Sequence, residues 1–146
     1  MPGNSEEDRV RKKILIVCEV FVRQNIMRNI LSSIFKGAEL IVMKDAKDAL
    51  PYLCANRHEI SYIFCCHSDK TDSLAFLQMW REVEEFSSLP FIVVVMDENF
   101  VRVSEEAKKK GAIFIRFPRN PDRKSCADLI AGEIARREMM QRRKDK

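Results

Sequence analysis

Five short apolar runs constrain the fold of this chain more than any other feature. They are ILIV (Ile14–Val17), ELIVM (Glu39–Met43), ISYIF (Ile60–Phe64), FIVVV (Phe91–Val95) and AIFIRF (Ala112–Phe117). Each is strand-length and rich in β-branched or aromatic residues, and none alternates cleanly between apolar and polar. Continuous hydrophobicity of that kind belongs to strands covered on both faces, as in a parallel sheet. Parallel strands need crossover connections, and the segments between the runs carry helical spacing.

Val22, Ile26, Met27, Ile30, Leu31 and Ile34 recur on one helical stripe, with Arg23, Gln24, Arg28 and Asn29 opposite. Asp45 can cap a helix holding Ala46, Ala49, Leu50 and Leu53, although Pro51 inside it removes a hydrogen bond. Leu74, Leu77, Trp80 and Val83 mark a third helix, with Trp80 read as a core anchor. A fourth, around Val101 to Lys110, is weakly apolar and carries Glu–Lys pairs at helical spacing. Asn120 and Pro121 read as the cap and first turn of a fifth helix, with Leu129, Ile130 and Ile134 as its buried stripe. Alternating strands and helices predict a doubly wound α/β domain over residues 12–138. Residues 1–11 are expected to form a flexible N-terminal segment, and 139–146 a basic tail extending the last helix.

The length of 146 residues fits that single domain. No apolar run approaches a membrane span and the N-terminus lacks a signal-peptide core, so a cytoplasmic protein with no membrane contact is expected. Five cysteines, an odd number in mostly apolar surroundings, argue against a secreted disulfide scaffold. The net charge of +4 is concentrated near the termini and is read as solvated helix ends rather than a nucleic-acid site. Met139 and Met140 in the basic end are read as a frayed terminus, with a partner contact as the alternative.

Ligands of doubly wound sheets bind beyond the C-terminal strand ends. Here those ends are Cys18–Glu19, Cys65–His67, Val95–Asp97 and Arg116–Pro118. The stretch YIFCCHSDKTD (Tyr62–Asp72) places two thiols and an imidazole at one of them. No Gly-rich phosphate loop follows the first strand, where CEVFVRQ stands, and no cofactor is expected.

KKILIVCEV, DAKDALPYL, SYIFCCHSDKTDSLAFL, SLPFIVVVM and GAIFIRFP, in that order and spacing, resemble the receiver domains of two-component response regulators, the CheY-like family. The resemblance spans about Lys12 to Arg136 and implies a five-stranded sheet ordered 2-1-3-4-5, in a flavodoxin-like three-layer sandwich. It also implies a site of acidic Mg²⁺ ligands, a phosphorylated aspartate, a Ser or Thr and a lysine. Cys18 and Glu19 stand at the metal-ligand positions, Cys65 at the acceptor, with Cys66 if the register slips by one, and Val95 at the hydroxyl position. The lysine has no clean equivalent; Phe117 precedes Pro118, and Arg116 is the nearest cation. Asp69 and Asp72 are the only nearby fallback carboxylates.

A thiol cannot form an acyl phosphate, Mg²⁺ demands hard oxygen ligands, and a valine cannot donate to a phosphoryl oxygen. The reading is therefore a stand-alone pseudo-receiver, not an enzyme, that signals through protein contact without aspartyl phosphorylation. The resemblance points to the fourth-helix, fifth-strand and fifth-helix face as the partner or homodimer surface, near Val101, Val103, Arg116 and Arg119. The cysteines leave three readings open. They fill a pocket that no longer binds metal; or Cys18 and Cys65 (or Cys66) form a redox pair; or Cys18, Cys65, Cys66 and His67 bind a soft metal. In all three, the implied fold makes the first and third strands neighbours, and Cys18 and Cys65 are both expected to point into the former acidic pocket.

Overall fold

The computed structural model describes residues 12–56, 58–67, 72–82, 89–95, 100–117 and 122–145. The N-terminal segment, Asp69, Asp97, Pro118, Arg119, Asn120 and Pro121 lie outside them. Strands β1 (Lys13–Val17), β2 (Glu39–Met43), β3 (Ile60–His67), β4 (Phe91–Val95) and β5 (Ile113–Arg116) alternate with five helices. The helices are α1 (Phe21–Ile34), α2 (Ala46–Asn56), α3 (Ser73–Glu82), α4 (Phe100–Lys109) and α5 (Arg123–Asp145). All strand pairs are parallel and the sheet order is β2-β1-β3-β4-β5, as the resemblance implied.

Two apolar layers hold the sheet. On one face Leu15, Val17, Ile63, Cys65, Val93 and Val95 pack against Ala49 and Leu53 of α2, Phe76, Leu77 and Trp80 of α3, and Val103 and Ala107 of α4. Phe91 joins this layer by ring contacts with Phe76 and Trp80. On the other face Ile14, Ile16, Phe64, Cys66, Ile92 and Val94 meet Met27, Ile30 and Leu31 of α1 and Cys126, Ile130 and Ile134 of α5. Burying a large aliphatic or aromatic side chain contributes about 1.5–3 kcal/mol, so covering both faces makes this sheet stable where a one-sided parallel sheet would not be.

Helix ends follow local chemistry. The Asp45 carboxylate accepts from Asp48 N at 3.0 Å, which caps α2 as expected. Asp72 accepts from Leu74 N and Ala75 N, both at 3.1 Å, and caps α3. The cap of α5 is Asp122, which accepts from Lys124 N and Ser125 N and from the Ser125 hydroxyl, rather than the expected Asn120. These bonds hold the Asp122 carboxyl below its usual value, the Ser125 hydroxyl contributing most. At the end of α4, Gly111 adopts φ +81°, a value a side chain would strain. Its N–H donates to Lys108 O while Ala112 N donates to Ala107 O, the paired bonds that stop a helix and turn the chain into β5.

The helical stripes need two corrections. Val22 is 65% and Leu129 44% exposed, so neither belongs to the core assigned from spacing. Cys126 takes the buried place on α5 instead, completing a stripe with Ile130 and Ile134 at helical spacing. Trp80 is the buried anchor expected of it.

Candidate functional site

The strand ends at the C-terminal edge of β1, β3, β4 and β5 form the candidate site. β3 continues past the expected Phe64 to His67, because Cys65, Cys66 and His67 pair with Val93, Val94 and Val95 of β4. The two thiols are therefore strand residues, and consecutive strand residues face opposite sides. Cys65 points into the layer under α2, α3 and α4, and Cys66 into the layer under α1 and α5.

A bulge decides which of them meets β1. Lys13 pairs with Ile60 but Ile14 pairs with Tyr62, so Ser61 is an extra residue in β3. The shift is visible in Ile60 and Ile63, three residues apart yet in the same layer. Without it, Cys18 would lie level with Cys65; with it, Val17 pairs with Cys65 and Cys18 falls beside Cys66. The expectation that Cys18 and Cys65 share one pocket is thus corrected, since a one-residue change of register exchanges every side chain between faces.

Cys65 is fully buried with Val17, Val93 and Val95 in its layer. Burial pushes its thiol far above the ordinary value, and the Cys18 and Asp72 charges act in the same direction. Cys18 and Cys66 are 1% and 2% exposed and lie in the same layer, and the Cys18 Sγ donates to Val20 O at 3.6 Å. The neighbouring Cys66 side chain draws Cys18 below the ordinary thiol value against its own burial, with Val20 and then the Arg23 guanidinium acting in the same direction. Cys66 is pushed up, first by its Cys18 neighbour and then by burial.

Arg23 and Gln24, assigned to the solvent face from their polarity, turn back over the strand ends. Gln24 Nε2 donates to Cys18 O at 2.6 Å, and Arg23 Nη1 to His67 O at 3.4 Å. Their functional placement had no signal in the sequence beyond proximity to the first strand. His67 Nδ1 lies 2.7 Å from the hydroxyl of Ser73, a fully buried residue at the start of α3. Ser73 N also donates to that nitrogen at 3.4 Å. His67 is thereby engaged with α3 and does not converge with the thiols.

The other candidate residues are dispersed. Glu19 is half-buried beyond β1, Val95 is fully buried beside Cys65, and Arg116 is exposed at the end of β5. Phe117 is buried in the α1/α5 layer, its N–H bonded to Val95 O at 2.9 Å. Among the described residues no three His, Cys, Asp or Glu side chains come together to hold a metal ion. The donor set of Cys18 and Glu19 does not fit the Mg²⁺ that the resemblance implies, which needs several oxygens in octahedral array. Asp72 is committed to capping α3.

The partner-surface candidates are also redistributed. Val103 is 5% exposed and packs with Ala107 and Ala112, so it is a core residue of α4. The side chain of Val101, like Arg119, lies outside the described residues. Exposed large apolar side chains cluster instead at the start of α1, where Phe21 is 71% exposed and Val20 and Val22 stand beside it. Met139 is exposed on the basic end of α5. Among the described residues no helix is long and apolar enough to cross a membrane.

No family model matches the sequence. No curated protein matches it either. Solved structures do. The chemotaxis response regulator CheY4 of Vibrio cholerae superposes with a TM-score of 0.66 at 16% identity, covering 85% of this chain and 99% of that one. The receiver domain of the histidine kinase CKI1 from Arabidopsis thaliana gives 0.70 at 18% identity, covering 93% and 96%. A signal receiver domain of an HD domain-containing protein from Pseudomonas fluorescens gives 0.66 at 21% identity, covering 88% and 98%. The likeness is one of fold: this chain has the CheY-like receiver fold over nearly its whole length.

Proposed function

We propose that this chain is a receiver-like signalling module that works by protein contact and is not switched by aspartyl phosphorylation. One observation carries the reading. The acceptor position on β3 holds Cys65, which is sealed in hydrocarbon with Val17, Val93 and Val95, and burial keeps its thiol protonated. A phosphoryl acceptor needs a carboxylate in reach of a metal ion and of donors to the transferring oxygens. Cys65 has neither the chemistry nor the access, and Val95 has no hydroxyl to offer. The module then has no turnover and no cofactor, and its output is a surface.

The surface best suited to a partner is the first turn of α1. Phe21 and Val22 expose most of their area there next to Val20, and apolar exposure of this kind is where protein contacts concentrate. Val20, the residue before α1, makes no side-chain capping bond, so the apolar run is not explained by helix capping. The exposed Arg116 lies at the same edge of the sheet, at the end of β5.

Intact-mass measurement after incubation with acetyl phosphate and Mg²⁺ tests the reading. An unchanged mass is expected; a stable phosphoryl adduct would overturn it.

A further inference from the structure

We infer that Cys18 and Cys66 form an oxidisable dithiol, an oxidative modification site that a hydroperoxide converts to a disulfide between the end of β1 and β3. The inference does not rest on the signalling reading, and either can fail alone.

Three features of the structure carry it. The Ser61 bulge sets β3 so that Val17 pairs with Cys65, which puts the next residues, Cys18 and Cys66, side by side on one face of adjacent parallel strands. Neighbouring strands approach within the separation of about 7 Å that a disulfide tolerates between Cα atoms, and here both side chains enter the same layer. Lastly, a cation stands over the pair. The Arg23 side chain is held over the same strand ends by its bond to His67 O. A thiol near a guanidinium has the character of an attacking sulfur, and the thiol beside it is placed to resolve the product.

The chemistry balances with hydrogen peroxide as oxidant. The Cys18 sulfur, as thiolate, attacks one peroxide oxygen; the O–O bond breaks and the departing hydroxide takes up a proton to leave as water. Cys18 is then a sulfenic acid. The Cys66 sulfur attacks the Cys18 sulfur, the S–O bond breaks, and the second oxygen leaves as water with the Cys66 proton. Two thiols lose two electrons in all, and one peroxide becomes two waters. Cys65 is excluded because it faces the opposite layer. Both reacting thiols are nearly buried, so the reaction is expected to be slow beside modification of the exposed Cys54. The turn that the bond would tie to β3 leads directly into Phe21 and Val22.

The test uses the full chain with Cys54→Ser, which removes the exposed thiol and its intermolecular products. The protein is treated with hydrogen peroxide, alkylated in denaturant, and read by intact mass and fragmentation of linked peptides. The expected result is loss of two hydrogens and a single link joining Cys18 to Cys66. Cys65→Ser should retain the link, while Cys18→Ser and Cys66→Ser should each abolish it; circular dichroism confirms that the variants are folded. Absence of any link in the Cys54→Ser protein, a link through Cys65 or Cys126, or oxidation that stops at isolated sulfur acids would overturn the inference. The mapping of the parent protein decides the matter even if a variant fails to fold.

Discussion

Cys65 and Cys66 are adjacent in sequence and face opposite cores, Cys65 toward α2, α3 and α4 and Cys66 toward α1 and α5. That alternation divides the end of β3 into two separate environments. One side is a sealed thiol among valines; the other is a pair of thiols side by side near a guanidinium.

The sealed thiol should show in alkaline stability. The Cys65 value is raised above 9.0 on folding, so the unfolded chain loses its proton first. The stability it gives is fully present below pH 9 and is lost as pH rises through the alkaline range. The slope is about 1.4 kcal/mol per pH unit for one thiol. Urea denaturation under reducing conditions between pH 8 and 10.5 should therefore be less pH-dependent for Cys65→Ala than for the parent by about that amount. The variant should also cost about 1–2 kcal/mol at pH 7 through the small cavity left. Parallel pH profiles would show that Cys65 does not hold its proton in the fold.

Asp72 should behave as a helix cap. Its carboxylate bonds two N–H groups of the first turn of α3. Asp72→Ala should lower stability by about 1 kcal/mol, with Asp72→Asn or Asp72→Ser recovering most of it. Equal loss in all three variants, measured by urea melts, would count against a capping role.

Phe21 and Val22 should matter to partners and not to folding. Because both are largely exposed, Phe21→Ser with Val22→Ser should change stability by no more than about 0.5 kcal/mol. The same double variant should weaken association with a purified cognate partner by at least about tenfold, the effect of losing an apolar anchor worth about 1.4 kcal/mol. Undiminished binding in a titration would move the interaction surface elsewhere on the domain.

The strands were legible because buried parallel strands announce themselves as continuous apolar runs, and ELIVM and FIVVV match β2 and β4 residue for residue. The end of β3 was not legible. Cys65, Cys66 and His67 are weak strand formers, and what extends the strand is pairing with Val93, Val94 and Val95, a tertiary effect. The Ser61 bulge left no local mark either, although it decides which thiol meets Cys18. On α1, spacing alone put Val22 in the core. The helix actually enters with Arg23 and Gln24 turned toward β1 and β3, where carbonyls at the strand ends need donors. Periodicity reports which stripe is apolar, and it is blind to polar side chains recruited by backbone groups of another element.

The amide spectrum of the protein, recorded with and without Mg²⁺ and beryllofluoride, a mimic of the bound phosphoryl group, tests the central claim residue by residue. With a thiol and a valine where a carboxylate and a hydroxyl would be needed, the resonances of Cys18, Cys65 and Val95 should stay unmoved at saturating additive. Saturable shifts at Cys65 and Val95 would contradict the claim that this end of the sheet is closed to phosphoryl chemistry.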